Sequence, residues 1–169
     1  VARRPGGVMS LVPAQPGRGG AFVEVCATPR SRLRPKVDVI TRDTAVYIAD
    51  TMGELGLFYR LATFAFVGGT LVPRGGHNPL EPARLHCAVF AGPHTYNSAS
   101  AYRAVLEAQG AGRVSTSADI ATLAKQLLDD PAKARALGDA AARGALTLGG
   151  AVEKTSDVVS ALLTRHATT

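Results

Sequence analysis

The sequence predicts an α/β fold of the Rossmann type, with a mostly parallel sheet and helices on both of its faces. Short apolar runs alternate along the chain with amphipathic stretches, and turn residues separate them, which is typical of repeated βα units. Tryptophan is absent and aromatic residues make up 5% of the chain, so small aliphatic side chains must form the core. A length of 169 residues suits one domain better than two, and we predict a single domain over residues 1–169.

The first part of the chain predicts strands at Val8–Val12, Val37–Ile40, Ala45–Ala49 and Phe64–Val67. Its predicted helices are Ala21–Ala27 and Thr51–Ala62. The stretch Thr28–Lys36 is polar, basic and contains proline, which indicates an exposed connection. Phe64–Val67 is a continuous apolar run, as expected for a central strand buried on both faces.

The second part continues the alternation and then becomes helical. A helix is predicted from Pro79 to about Leu85, a strand at Ala88–Ala91, a helix at Ser98–Gln109 and a short strand closed by Val114. From Ser117 onward the pattern is helical, with breaks near Pro131 and Gly149. The last predicted element is an amphipathic helix over Val152–Arg165.

Charge and residue spacing narrow the classes of function. The net charge of +6 and the pI of about 9.8 favour anionic partners. No aromatic residues interleave with the arginines, which argues against a nucleic-acid-binding domain. The histidines lack i, i+4 spacing and the two cysteines lack metal-ligand spacing, so no metal or other cofactor is expected. No apolar run approaches the roughly 18 residues that span a bilayer, so any membrane contact is predicted to be peripheral.

A first candidate ligand segment follows the strand Ala45–Ala49 and reads Asp-Thr-Met-Gly-Glu-Leu-Gly from Asp50. Thr51 and Glu54 have the spacing of a capping box. Gly53 lacks a side chain, so a ligand can approach the main chain closely. A well-capped helix with no ligand remains an alternative for this segment.

A second candidate segment runs from Gly68 to Pro82 between a buried strand and a helix. Asn78 suits an N-cap, Pro79 the first helical position, and Glu81 follows in the first turn. Helix capping explains these residues but does not explain a long loop with four glycines. We therefore expect Gly75 and Gly76 to offer backbone N–H groups to an anion, such as a phosphate.

Both segments are expected at the same edge of the sheet, because ligands of open parallel sheets bind beyond the carboxyl ends of the strands. Each segment supplies a helix start and a carboxylate, which suits the phosphate and the ribose hydroxyls of a nucleotide. Neither has the G-x-G-x-x-G fingerprint of dinucleotide-binding domains, and no Walker A sequence occurs.

Four stretches closely resemble the C-terminal domain of bacterial Kdo (3-deoxy-D-manno-octulosonic acid) transferases. They are residues 50–57, residues 65–72, the Arg-Gly-Gly-His-Asn-Pro-Leu-Glu-Pro-Ala run of residues 74–83, and Gly-Pro-His at residues 92–94 followed by Asn97. These enzymes are glycosyltransferases of the GT-B fold, in which two Rossmann-like domains face each other across a cleft. The resemblance extends from about Leu11 to the end of the chain.

The resemblance implies transfer of Kdo from CMP-Kdo to a lipid A precursor in lipopolysaccharide biosynthesis, without a metal ion. It places the CMP-binding residues at Met52, Gly53, Glu54, Asn78, Pro79, Leu80 and Glu81, with Glu81 accepting the ribose hydroxyls. Further donor contacts are expected from Pro13, Arg18, Arg74, Gly75, Gly76 and His77. It implies a cytoplasmic protein, or one acting at the cytoplasmic face of the inner membrane.

Two departures from the family pattern shape the expected function. Ala14 stands where the family has an arginine that helps to hold the nucleotide. The family's N-terminal domain, which binds the lipid acceptor and supplies the catalytic groups, is not expected within this sequence, so the chain alone is expected to bind CMP-Kdo without catalysing transfer. The alternative is a non-catalytic remnant or interaction module that keeps the fold and has lost nucleotide binding.

Overall fold

The computed structural model describes residues 7–13, 17, 19–26, 31–33, 40–41, 43–150, 155–160 and 163. The chain divides into two compact units, Val1–Phe58 and Tyr59–Thr169. Within the described residues, each unit carries a three-stranded sheet in which all strand pairs are parallel. Helices flank these sheets, so the α/β class predicted from the alternating pattern is confirmed. The prediction of a single domain over the whole chain stays a prediction.

The first unit is built around a buried central strand. Its elements are β1 (Met9–Leu11), α1 (Gly19–Cys26), β2 (Ser31–Leu33), β3 (Val46–Ile48) and the start of α2 (Leu55–Leu61). The strand order is β1-β3-β2, and all three residues of β3 are buried. Tyr47 of β3 lies beside Phe58 of α2, with 6.2 Å between the ring centroids. The apolar run at Ala45–Ala49 therefore forms the core strand that the sequence predicts.

The second strand lies where the sequence predicts a connection. Ser31–Leu33 falls inside the polar stretch Thr28–Lys36, and its residues pair in parallel with β3, Ser31 opposite Val46. The prediction of an exposed connection is wrong for these three residues, because backbone pairing with β3 outweighs their polar composition. Of the strand predicted at Val37–Ile40, Ile40 is not in a strand and residues 37–39 lie outside the described part.

The second unit follows the predicted order of strands and helices. Its elements are the end of α2, β4 (Phe64–Phe66), α3 (Leu80–Arg84), β5 (Ala88–Ala91), a 3₁₀ turn (Tyr96–Ser98), α4 (Ala99–Glu107), β6 (Ala111–Arg113), α5 (Ser117–Asp129) and α6 (Pro131–Leu146). Residues 155–160 and 163 are also helical, and the rest of the helix predicted over Val152–Arg165 lies outside the described residues.

The central strand of the second sheet is β5 and not β4. The order of its described strands is β4-β5-β6. All four residues of β5 are buried, whereas Phe64–Phe66 are half-buried. The prediction that Phe64–Val67 is a central strand buried on both faces is therefore wrong for this sheet. The outer strand β4 is covered in part by its aromatic side chains: the ring of Phe64 stacks on that of Phe90 of β5, with 5.2 Å between the ring centroids.

Helix α6 packs through its backbone against the elements around β5. A Cβ atom added at Gly138 would lie 2.1 Å from the carbonyl oxygen of His86, and one at Gly144 would lie 2.6 Å from that of Ala104. Ala141 and Ala145, on the same helix, are completely buried in the main core cluster. The alanine- and glycine-rich composition thus serves close helix packing, as the sequence predicts for a core of small side chains.

No helix within the described residues combines the length and the apolar content that crossing a bilayer requires.

Candidate functional site

The first candidate segment, after β3, forms a tight turn before its helix begins. Gly53 has φ of 81°, a left-handed conformation that helical residues do not adopt. The carbonyl of Glu54 accepts the N–H groups of Leu57 and Phe58, so α2 begins at Leu55. The prediction that Thr51 starts this helix is therefore wrong. Thr51 instead lies in the turn, where its hydroxyl donates a hydrogen bond to the Glu54 carboxylate.

The surface of this turn is open. Met52 is 76% exposed. A Cβ atom added at Gly53 would meet nothing within 4 Å. A ligand can thus approach the backbone at Gly53, although the predicted contacts of Met52, Gly53 and Glu54 with CMP remain predictions.

Asp50 ties the turn after β3 to the start of α1. Its carboxylate accepts hydrogen bonds from the backbone N–H groups of Gly17, at 2.9 Å, and Gly19, at 2.8 Å. Sequence reasoning placed Asp50 in the candidate segment without assigning it this contact. Of the residues predicted to assist from the loop after β1, Pro13 is half-buried, and Arg18 lies outside the described residues, as does Ala14.

The second candidate segment is a compact loop, residues 68–79, which we call the glycine loop. Thr70 anchors it from inside and is fully buried. Its hydroxyl donates to the carbonyl of Val67, at 2.7 Å, and accepts the N–H of Gly92, at 2.8 Å. The carbonyl of Thr70 also accepts the N–H of His94, at 3.0 Å. One threonine therefore joins the end of β4 to the end of β5.

Five consecutive carbonyls of the glycine loop, those of residues 73–77, accept hydrogen bonds from the segment that follows β5. The hydroxyl of Tyr96 donates to residue 73 at 2.7 Å, and the hydroxyl of Tyr102 donates to residue 77 at 2.7 Å. Asn97 donates to the three carbonyls between these two. Its side-chain amide donates to the carbonyl of residue 74 at 3.0 Å and to that of residue 76 at 3.3 Å, and its backbone N–H donates to the carbonyl of residue 75 at 3.1 Å. We call this arrangement the carbonyl latch.

Three backbone N–H groups of the loop, those of Arg74, Gly76 and His77, donate hydrogen bonds within it. Gly76 donates to the carbonyl of Gly69, at 3.1 Å, and His77 donates to that of Gly68, at 3.2 Å. The prediction that Gly75 and Gly76 present successive N–H groups to an anion is therefore wrong for Gly76, whose N–H already has a partner. The two glycines are needed for another reason, since they have φ of 82° and 71° and both are buried.

Side chains remain available on the outer surface of the loop. Arg74 and His77 are both exposed. They lie next to the bare backbone at the end of β4: a Cβ atom added at Gly68 would be 3.8 Å from the His77 ring, and one at Gly69 would be 3.9 Å from Cβ of Arg74. The side chains of Arg74 and His77 thus start near the carboxyl end of a parallel strand, where ligands of such sheets bind.

The start of α3 places the remaining predicted residues next to the glycine loop. The side-chain oxygen of Asn78 accepts the N–H of Leu80, at 3.0 Å, and Pro79 occupies the N-cap position. The prediction that Asn78 is the N-cap and Pro79 the first helical residue is therefore wrong by one residue, since the helix begins at Leu80. Leu80 packs on the core, and Glu81 is exposed in the first turn.

Tyr59 is a neighbour of Glu81 that sequence reasoning missed. Burial, and then the negative charge of Glu81, raise the pKa of Tyr59 to about 12. Burial also raises the pKa of Tyr102 above its ordinary value. Both phenols are therefore neutral near pH 7. Nothing in the sequence marks these tyrosines, nor Thr70, as parts of the site, because their roles depend on contacts between distant segments.

The structure brings residues 74–81 together in the second unit, and Met52, Gly53 and Glu54 together in the first unit. That both groups face one ligand stays a prediction. Among the described residues, no cluster of three or more His, Cys, Asp or Glu side chains could hold a metal ion. His86 lies on the surface, where its Nδ1 atom is 2.7 Å from the Asp139 carboxylate.

No family model matches the chain. Individual proteins are nevertheless similar to the chain in sequence. The chain is 32% identical over 169 residues to a 3-deoxy-D-manno-octulosonic acid transferase of Haemophilus influenzae, which covers 98% of this chain and 40% of that protein. It is 33% identical over 125 residues to the transferase of the same name from Bordetella pertussis, which covers 74% of this chain and 28% of that protein.

A solved structure matches the fold. It is the crystal structure of the C-terminal CMP-Kdo binding domain of WaaA from Acinetobacter baumannii, with a TM-score of 0.75 and 30% sequence identity over 81% of this chain and 72% of that one. The chain belongs to the Kdo transferase family. The chain spans 40% of the length of the Haemophilus transferase and 28% of that of the Bordetella one.

Membership in the Kdo transferase family confirms the resemblance found in the sequence. A probable mitochondrial transferase of the same name from Arabidopsis thaliana is also similar, with 31% identity over 133 residues. The match to a solved domain agrees with the parallel α/β architecture of both units.

Proposed function

We propose that this chain binds CMP-Kdo and acts as the donor-binding half of a GT-B glycosyltransferase that transfers Kdo to a lipid A precursor. The observation that carries the proposal is the likeness to a solved domain whose stated ligand is CMP-Kdo, at 30% identity over 72% of that domain. The glycine loop and the start of α3 supply the chemistry that such a ligand needs.

Glu81 is the proposed ribose-binding residue. Its carboxylate is exposed in the first turn of α3, and within the described residues it makes no hydrogen bond or ion pair that would have to be broken. An ionised carboxylate can accept hydrogen bonds from two vicinal hydroxyl groups, as the ribose of CMP offers. Asn78, with an amide N–H₂ left over from its capping contact, is the proposed neighbour on the phosphate side.

Arg74 and His77 are proposed to face the anionic groups of the donor. Transfer of Kdo leaves CMP with an additional negative charge on its phosphate, so donors already fixed near that phosphate stabilise the transition state. We assign no catalytic residue to this chain and no metal ion to the reaction. The lipid acceptor and the general base are proposed to belong to the remainder of such a transferase, acting at the cytoplasmic face of the inner membrane.

Calorimetric titration of the chain with CMP tests the proposal. Wild type is expected to bind CMP. Glu81→Gln is expected to bind it roughly 10- to 150-fold more weakly, because a hydrogen bond to a charged group contributes about 1.5–3 kcal/mol. Glu107→Gln, which neutralises another exposed glutamate on α4, is the matched control and should bind as wild type does.

Two outcomes contradict the proposal at different levels. Equal affinity of wild type and Glu81→Gln would remove Glu81 from the nucleotide site. No heat of binding for wild type with either CMP or CMP-Kdo at millimolar concentration would refute donor binding itself, and would favour the interaction module that keeps the fold without a nucleotide.

A further inference from the structure

The carbonyl latch has one residue at its centre. Asn97 supplies three of its five hydrogen bonds, to the carbonyls of Arg74, Gly75 and Gly76. Asn97 is itself exposed and lies in the 3₁₀ turn after β5, so it is not a core residue whose removal leaves a cavity. Its described contacts are directed at the loop.

The fit between Asn97 and the loop is steric as well as polar. A Cβ atom added at Gly75 would lie 2.3 Å from the side-chain oxygen of Asn97 and 2.6 Å from its nitrogen. The amide therefore fills the space where any other residue at position 75 would carry its side chain. The left-handed backbone of Gly75 and the side chain of Asn97 form one unit.

The carbonyl latch determines which chemical groups of the loop are available to a ligand. The carbonyls of residues 73–77 all accept bonds from the segment after β5, and the N–H groups of Gly76 and His77 are bonded within the loop. Recognition of an anion by the latched residues therefore falls mainly to side chains, and Arg74 and His77 are the exposed cationic or hydrogen-bond-donating ones.

We propose that Asn97 is a positioning residue of the donor site: by fixing the backbone of residues 74–76, it sets where the Arg74 side chain leaves the loop, so that its guanidinium can reach the anionic groups of the donor. This inference rests on the proposed function. Asn97 touches no ligand in this role. It reduces the conformational freedom that Arg74 would otherwise lose on binding, and a ligand that meets a preorganised group binds more tightly.

The test is calorimetric titration of CMP-Kdo into Asn97→Ala and into Asn97→Asp. The aspartate keeps the size of the side chain but has no N–H to donate, and its charge faces two carbonyl oxygens. Both variants are expected to bind at least about tenfold more weakly than wild type. Thr122→Val is the matched control, because it also removes one side-chain hydrogen bond to a carbonyl, that of Ala118, but within helix α5 and outside the latch.

A double-mutant cycle with Arg74→Ala separates positioning from a general loss of stability. If Asn97 acts through Arg74, the double variant should bind no more weakly than Arg74→Ala alone. Amide hydrogen exchange adds a readout without ligand: Asn97→Ala should speed exchange at Gly76 and His77 and leave β5 protected.

The outcomes distinguish the two proposals. Wild-type binding with unchanged affinity in Asn97→Ala refutes the positioning role and leaves donor binding intact. Losses that simply add in the double variant, or that track a lowered melting temperature, also refute it, because they would indicate a structural role alone. Absence of wild-type binding refutes the proposed function, and the positioning role with it.

Discussion

Replacing Thr70 with valine tests whether the buried hydroxyl, and not the shape of the side chain, holds the glycine loop to β5. Valine has nearly the same shape but cannot donate to the carbonyl of Val67 or accept from the N–H of Gly92, which are 2.7 and 2.8 Å away from the hydroxyl. Both partners belong to buried residues. Each buried polar group left without a partner costs about 1–3 kcal/mol, so for the two groups together we expect a loss of about 2–6 kcal/mol in the free energy of unfolding.

The measurement is urea denaturation of the full chain, followed by circular dichroism, with hydrogen exchange at Gly92 as a local probe. Thr70→Ser keeps the hydroxyl and loses one buried methyl group, so it should cost only about 1 kcal/mol. Thr122→Val removes an exposed hydroxyl and should change stability by less than about 0.5 kcal/mol. If Thr70→Val proved as stable as Thr70→Ser, the hydroxyl would not be what joins the two strands, and the reasoning would fail.

Three further predictions concern the backbone and its caps. Gly75→Ala should lower the thermal unfolding temperature more than Gly53→Ala does. The angle φ is positive at both glycines, but of the two only Gly75 has a neighbour, Asn97, where a Cβ atom would lie. Equal losses in the two variants would contradict this. Asp50→Ala should cost about 0.5–2 kcal/mol and speed hydrogen exchange at the start of α1, since its carboxylate accepts two N–H groups there; unchanged exchange would show that these bonds contribute nothing. Backbone N–H groups at the start of α5 donate to the Asp119 carboxylate and hold its pKa below 3.8, the ordinary value. The stability that Asp119 contributes should therefore be complete above pH 3.8 and be lost as the pH falls through the lowered pKa of the folded state. An NMR titration of Asp119 with a midpoint at or above 3.8 would contradict this.

The parts of the fold that sequence predicts well are those set by local pattern. Ala88–Ala91 is apolar throughout and becomes a fully buried strand, and Pro131 follows a capping aspartate at the start of α6. The errors have a non-local origin. Ser31–Leu33 lies in a polar, basic stretch yet forms a strand, because it pairs with an edge of β3. The strand propensity of a residue is judged from its local sequence, which carries no information about a neighbouring strand that is distant in the sequence.

The candidate site divides in the same way. Local sequence marks Asn78 and Glu81 through their positions at a helix start, and the structure places Glu81 in an exposed first turn. Local sequence also indicates that the loop needs glycines, but for Gly76 it gives the wrong reason. A Cβ atom at Gly75 would lie within 2.5 Å of Asn97, which is more than 20 residues away in the sequence. A Cβ atom at Gly76 would lie 2.5 Å from Thr70, which is more than 5 residues away. Only coordinates reveal such contacts.

The carbonyl latch has a consequence for the order in which the protein folds. Its side-chain bonds join residues 21 to 25 positions apart, from residues 73–77 to residues 96–102. Closing a loop of that length costs entropy that local turns do not. During synthesis, the glycine loop therefore cannot reach its final conformation until the ribosome has released the chain beyond Tyr102, which lies within α4.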